Sequence, residues 1–187
     1  MILTIGRELA SGGRDIGKML SERLGLRYFD KELLLEAARQ SGIAQELFLR
    51  ADEHYNLFTL ALSTDSQRLF QFQSDTIRQL ACGGDCLFLG RAADYILRER
   101  KDLFTVFLTA NMEDRVQRVM QRDGLSERDA ITFIEKTDKK RSDYYGFFTG
   151  KRWGDSSGYD LCLNTSRFGI EGSAEIIAQS VKMTNNA

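Results

Sequence analysis

Between a short apolar start and a helix-like segment the chain carries Gly6-Arg-Glu-Leu-Ala-Ser-Gly-Gly-Arg-Asp-Ile-Gly17. Successive backbone N–H groups in such a turn form an anion-binding concavity, and a helix N-terminus adds partial positive charge. Glycine is required where φ is positive or where the backbone must approach a phosphate closely. Arg7 and Arg14 add the charge-assisted, bidentate bonds that phosphate oxygens favour. The candidate phosphate-binding set is therefore Arg7, Ser11, Gly12, Gly13, Arg14 and Asp15. A plain strand-to-helix turn is the simpler account of the glycines alone; the two arginines and the strand–loop–helix context favour anion binding. The stretch is not a regular Gly-x-x-x-x-Gly-Lys-Ser/Thr phosphate loop. With Gly12 at its second glycine, Arg7 stands at the first and Gly13 at the lysine, and Lys18 lies a full turn into the helix.

A dinucleotide-binding reading competes, because Asp30 lies 18 residues beyond Gly12, about where a ribose-binding acid belongs. Gly12, Gly13 and Gly17 do not supply Gly-x-Gly-x-x-Gly, however, and Asp30 has a sufficient role as a helix N-cap. Gly90-Arg91-Ala-Ala-Asp94 follows an apolar run, where a parallel sheet would present Arg91 to a ligand. Arg91 could hold an acceptor phosphate and Asp94 a sugar or base; a helix-terminal salt bridge accounts for them equally well. Arg115, Arg118 and Arg122 share one side of a helix, and Lys139-Lys-Arg141 follows in the next. Such runs are usually solvated surface. Beside a phosphate loop they acquire a use, since phosphoryl transfer is catalysed mainly by positioning and charge stabilisation.

The elements that must position these residues follow from periodicity. Ile2–Ile5 reads as a buried strand, Asp15–Leu24 as a helix stopped by Gly25, and Leu26–Phe29 as a second strand. Asp30 would cap a helix through Arg39, and residues 43–81 read as a helical lobe. Cys86–Leu89 and Phe104–Leu108 are further strands, the first followed by a helix through about Arg98. Asn111 with Asp114 predicts a capping box for Met112–Arg122; Ser126 with Asp129 predicts another for a helix towards Tyr145. Phe147–Ser157 reads as irregular, Tyr159–Leu163 as the last strand and Ile170–Val181 as the terminal helix. Tyr144, Tyr145, Phe147, Phe148, Gly150, Trp153 and Gly154 suit a moving segment, a packed corner or a subunit contact, packing being favoured. Strand, loop, helix, strand is the opening of a parallel α/β domain, expected here to be single over residues 1–187.

Composition sets outer limits. The 187 residues carry a formal charge of −1, which gives no global attraction to nucleic acid or membrane. Residues 115–152 nonetheless hold ten basic and six acidic side chains. No apolar stretch approaches the roughly 20 residues of a membrane span, and no signal peptide is recognisable, so a cytoplasmic protein is expected. Three cysteines without zinc-like spacing read as reduced thiols, and no metal site is expected from protein ligands alone. His54 is the only histidine, which excludes mechanisms needing two.

Taken together, Ser11-Gly-Gly-Arg-Asp-Ile-Gly17, Tyr28-Phe-Asp-Lys-Glu32, Gly90-Arg-Ala-Ala-Asp-Tyr95, Glu113-Asp-Arg115, Asp138-Lys-Lys-Arg141, Gly150-Lys-Arg-Trp-Gly-Asp155 and Tyr159-Asp-Leu-Cys-Leu-Asn164 resemble the cytidylate kinase-like family over nearly the whole chain. That family is a branch of the nucleoside monophosphate kinase group of the P-loop fold. The resemblance implies a three-layer α/β sandwich with a five-stranded parallel sheet, a helical acceptor lobe near 43–81 and a lid near 122–155. It also implies Mg-ATP as donor, cradled by Gly12, Gly13 and Arg14, with Arg118 and Arg141 as catalytic lid-side arginines. Asp30, Arg91, Asp94 and Arg115 would meet a nucleotide acceptor, CMP or dCMP by default. A nucleotide-binding sensor without transfer activity, or a kinase for another small acceptor, are the alternatives. Oligomeric state stays open.

Overall fold

The computed structural model describes residues 1–30 and 64–185. The predicted helix from Asp30 and the first part of the 43–81 lobe lie outside the described residues. Strand β1 (Ile2–Arg7) leads through the glycine loop into α1 (Gly13–Leu24), and β2 (Arg27–Phe29) follows. After 64 come α2 (Thr64–Cys82), β3 (Cys86–Leu89), the single-turn α3 (Ala93–Ile96) and β4 (Leu103–Thr109). Then come α4 (Met112–Asp123), α5 (Glu127–Thr149), β5 (Leu161–Asn164) and α6 (Thr165–Asn185), the last broken at Gly169.

The sheet has five strands in the order β2-β3-β1-β4-β5, and every pairing is parallel. Covered on both faces, its central strands β1 and β3 are buried almost throughout rather than alternating. Cys86, Leu87, Phe88 and Leu89 are all buried, and so are Ile2, Leu3, Thr4, Ile5 and Gly6. On one face Ile16 and Leu20 of α1 pack with Leu3, Ile5, Val106 and Ile177. On the other, Ile77 and Ala81 of α2 pack with Ile2, Phe88 and Ile96. These three layers bring the C-terminal ends of β1, β3 and β4 to one edge, where the glycine loop emerges.

Several local expectations are corrected. The helix predicted to follow Gly90-Arg91 through about Arg98 is one turn, Ala93–Ile96, because Gly90, Arg91 and Ala92 all have positive φ (73°, 64° and 53°) and delay its start. Asn111 precedes α4 but makes no capping bond; its Oδ1 accepts from Asn164 Nδ2 at 3.0 Å instead. Ser126 does cap α5, its Oγ accepting from the Asp129 N–H at 3.2 Å. Helix α5 then runs to Thr149, past the expected irregular start at Phe147, until Gly150 at φ 67° ends it. The aromatic corner is packed: Phe148 stacks on Phe70 at 4.2 Å and Trp153 meets Phe107 edge-on at 5.3 Å. Among the described residues no helix is long and apolar enough to cross a membrane.

Candidate phosphate-binding site

Gly12 sits at φ 81° as the residue before α1, a conformation that costs an L side chain but not glycine. It turns the chain so that α1 begins at Gly13, leaving the N–H groups of Gly13, Arg14 and Asp15 without intrahelical acceptors. The loop is fixed from outside. Glu8 accepts from Thr109 Oγ1 at 2.7 Å and from the Ala110 N–H at 3.2 Å, tying the loop to the end of β4. Asp138 of α5 accepts from the Leu9 N–H at 2.8 Å. Arg115 of α4 is buried between them: Nε donates to the Leu9 carbonyl at 2.8 Å, Nη1 pairs with Glu8 at 3.3 Å, and Nη2 pairs with Asp138. Ser11 is fully buried, and its Oγ donates to the Glu8 carbonyl at 2.9 Å.

Above this staked loop lies a cleft of about 620 Å³ bounded by Arg7, Gly12, Gly13, Arg14, Asp15, Asp30, Arg118, Arg122 and Arg141. Of the candidate residues, Arg7, Gly12, Gly13, Arg14, Asp15, Asp30, Arg118 and Arg141 thus line one space. Arg118 Nη1 donates to the Ala10 carbonyl at 2.9 Å, and Arg141 Nη1 donates to the Arg7 carbonyl at 3.0 Å. Arg14 Nη2 pairs with Asp30 Oδ2 at 3.1 Å, bridging α1 to the end of β2. No carboxylate forms an ion pair with Arg7, Arg118 or Arg141 among the described residues. For Arg7 and Arg141 the charge is accordingly expensive. Burial first, then the neighbouring Arg141 and Arg91 cations, push the Arg7 guanidinium well below its ordinary range. Burial also lowers Arg141, against the opposing pull of Asp138. Desolvated cations packed this closely, opposed only in part by Asp30 and Asp138, make a cleft suited to an anion.

Arg91 lies near enough to Arg7 and Arg141 to depress both, and its carbonyl accepts from Gln73 Nε2 at 2.9 Å. Ser11 and Arg115 stand behind the loop, committed to holding it. Asp94 is elsewhere: it accepts from Tyr145 Oη at 2.6 Å and faces a separate cavity of about 240 Å³ with Tyr95, Arg98 and Lys151. Burial raises the Asp94 carboxyl above its usual range. Sequence spacing did not single out Asp138 as a loop anchor, nor Glu8; only the fold brings residues 8, 115 and 138 together. A triphosphate fits this donor set of helix-start amides and arginines. For a magnesium ion accompanying it, the cleft offers the Asp15 and Asp30 carboxylates, consistent with an ion held by one or two carboxylates plus substrate phosphates.

The chain is 26% identical over 188 residues to the cytidylate kinase of Methanocaldococcus jannaschii, covering 97% of each chain. It is 30% identical over 172 residues to that of Desulfurococcus amylolyticus, covering 89% of this chain and 85% of the relative. A crystal structure of an uncharacterized protein from Eubacterium ventriosum superposes with a TM-score of 0.81 at 29% identity, covering 98% of both chains. Shikimate kinase from Bacteroides thetaiotaomicron shares the fold, with a TM-score of 0.57 at 14% identity, 97% of this chain and 98% of that one being covered. The sequence profile of the cytidylate kinase-like family matches residues 2–167, and the chain belongs to that family.

Proposed function

We propose that the protein transfers the γ-phosphoryl group of Mg-ATP to a nucleoside monophosphate, with CMP or dCMP as acceptor. The observation that carries this reading is the cleft itself: a glycine loop opening a helix, faced by Arg7, Arg118 and Arg141 without carboxylate partners among the described residues. The names of the archaeal relatives support the cytidine acceptor.

In such a transfer an acceptor phosphate oxygen forms a bond to the γ-phosphorus while the bond to the bridging oxygen breaks, and ADP departs with that electron pair. The acceptor is already ionised, so no general base is required. The work of this chain is to orient the two phosphates and absorb the charge that spreads over the transferred group. The amides of Gly13, Arg14 and Asp15 hold the donor, while Arg118 and Arg141 approach from α4 and α5. Arg91, at the end of β3, stands on the acceptor side. A magnesium ion bound with the nucleotide would be held by Asp15 and Asp30 and would supply neutralisation of phosphate charge. The lid of this reading is the 122–155 region, built on α5, and the acceptor lobe is 43–81.

An ADP-release assay with Mg-ATP against CMP, dCMP, UMP, AMP, GMP and dTMP tests it. Turnover with CMP or dCMP above the ATP-only rate is expected. Turnover only with another acceptor would reassign the substrate, and ATP binding without any turnover would favour a nucleotide sensor.

A further inference from the structure

The helix-start position that carries lysine in a regular phosphate loop is Gly13. The space that a side chain there would enter is occupied. A Cβ built on Gly13 would lie 2.9 Å from Cγ and 3.2 Å from Cβ of Arg7, closer than side chains pack. The Arg7 stem therefore crosses the first turn of α1 along the path a side chain on Gly13 would begin. Its far end is accommodated by a second glycine: a Cβ on Gly90 would fall 1.8 Å from Arg7 Nη1 and 2.9 Å from Cζ. Two glycines, on different elements, make room for one guanidinium between the ends of β1 and β3, inside the cleft.

We propose that Arg7, delivered from the last residue of β1, supplies the phosphate-contacting cation that the loop lacks at its lysine position, and that Gly13 and Gly90 are small so that it can. The proposal rests on the phosphate-transfer reading above and assigns within it a catalytic residue. The alternative cation, Arg14, is turned to Asp30 and more than half exposed, with 60% of its side chain accessible. Arg7 has no carboxylate within ion-pair distance among the described residues. Its backbone carbonyl is held by Arg141, which fixes the stem's point of departure.

The geometry predicts a specific dependence between positions 7 and 13. Because Gly13 has an ordinary helical backbone, Lys can be placed there without conformational strain once the Arg7 stem is removed. Four proteins suffice: wild type, Arg7→Ala, Gly13→Lys and the double variant, with Arg7→Gln as a check on folding and all melted to confirm a cooperative transition. Calorimetry with inorganic tripolyphosphate and with adenosine separates phosphate from base contacts, and ADP release gives turnover. Arg7→Ala should weaken tripolyphosphate about 10–100-fold, as expected for a charge-assisted pair, and leave adenosine unchanged. Turnover should fall about 10²–10³-fold. Gly13→Lys should impair the wild-type background yet recover tripolyphosphate affinity at least about tenfold in the Arg7→Ala background; recovery of that affinity, and not of melting temperature alone, separates a restored cation from refilled space. Tripolyphosphate affinity and turnover within twofold of wild type in Arg7→Ala would overturn the proposal and leave the kinase reading standing. So would a folded double variant no better than Arg7→Ala. A wild-type protein that binds neither tripolyphosphate nor Mg-ATP would overturn both.

Discussion

Gly90, Arg91 and Ala92 occupy left-handed backbone in succession, at φ 73°, 64° and 53°, and two of the three carry side chains. Each non-glycine residue held there costs about 1–3 kcal/mol, and such strain persists only where the surroundings over-determine it. Here the turn sets Arg91 beside Arg7 and Arg141 and leaves Gly90 bare against the Arg7 guanidinium. Gly90→Ala adds both the strain and the clash, so it should cost about 1–3 kcal/mol in urea unfolding and also weaken tripolyphosphate. The affinity loss should not add to that of Arg7→Ala, because both act on one cation. Arg115 differs in kind. It is 5% exposed and holds Glu8, Asp138 and the Leu9 carbonyl together. Arg115→Ala leaves two carboxylates facing each other without their cation, and should destabilise the fold by about 3–5 kcal/mol in urea unfolding. The sequence puts Arg115 and Arg118 on one helical face, but their different duties were not legible from that spacing. The partners that distinguish them include loop residues more than 100 positions away and Asp138 on the next helix.

Helix α5 is the element through which distant sequence reaches the loop. Asp138 accepts the Leu9 N–H, and Arg141, three residues later on the same face, donates to the Arg7 carbonyl. The helix thus grips the loop's backbone at two points and also faces the cleft with the Arg141 charge. Asp138→Ala removes the acceptor of a loop amide and one anchor of Arg115; exchange of the Leu9 amide should accelerate about 10–100-fold relative to wild type. A rate unchanged within threefold would mean that the loop holds its shape without α5. Elements with strong local signals were readable in advance. Cys86–Leu89 is a continuous apolar run because both faces of its strand are covered, and Ser126 with Asp129 marks the start of α5 by its cap. Elements decided by tertiary partners were not. Asn111 has a capping residue's chemistry, yet it is drawn to Asn164 on the neighbouring strand end. The helix expected after Gly90 shrank to one turn because the preceding backbone serves the site.

At the scale of the whole molecule the charge nearly cancels, at −1, while the cleft gathers Arg7, Arg118, Arg122 and Arg141 around one space. Net charge could not reveal this concentration, since these residues span more than 130 positions and meet only when the β2-β3-β1-β4-β5 sheet forms. The fold class was legible because alternating apolar strands and amphipathic helices encode it locally. The cation cluster was legible only as scattered arginines. Its consequence is an opposition between stability and binding. Arg7 and Arg141 repel each other while partly stripped of water, so on the proposed reading the ligand-free protein forfeits stability that a polyphosphate bound there would return. The sign follows from linkage: a ligand that binds only the folded state stabilises it by about 2.7 kcal/mol at a hundred times its Kd. For a chain of this size that is a rise in Tm of about 5–10 °C with tripolyphosphate or Mg-ATP. Arg7→Met should reverse the balance. Replacing a desolvated cation by an apolar chain of similar reach should raise the ligand-free Tm by at least about 1–2 °C, and the tripolyphosphate-induced rise should shrink. Sodium chloride should act in the same direction, screening the repulsion in the free protein and competing with the phosphate, so the wild-type shift should decline as salt increases. Differential scanning fluorimetry of both proteins, with and without tripolyphosphate at two salt concentrations, measures every one of these terms. A ligand-free Arg7→Met protein that melts below wild type would show that Arg7 is held by favourable packing rather than poised for an anion.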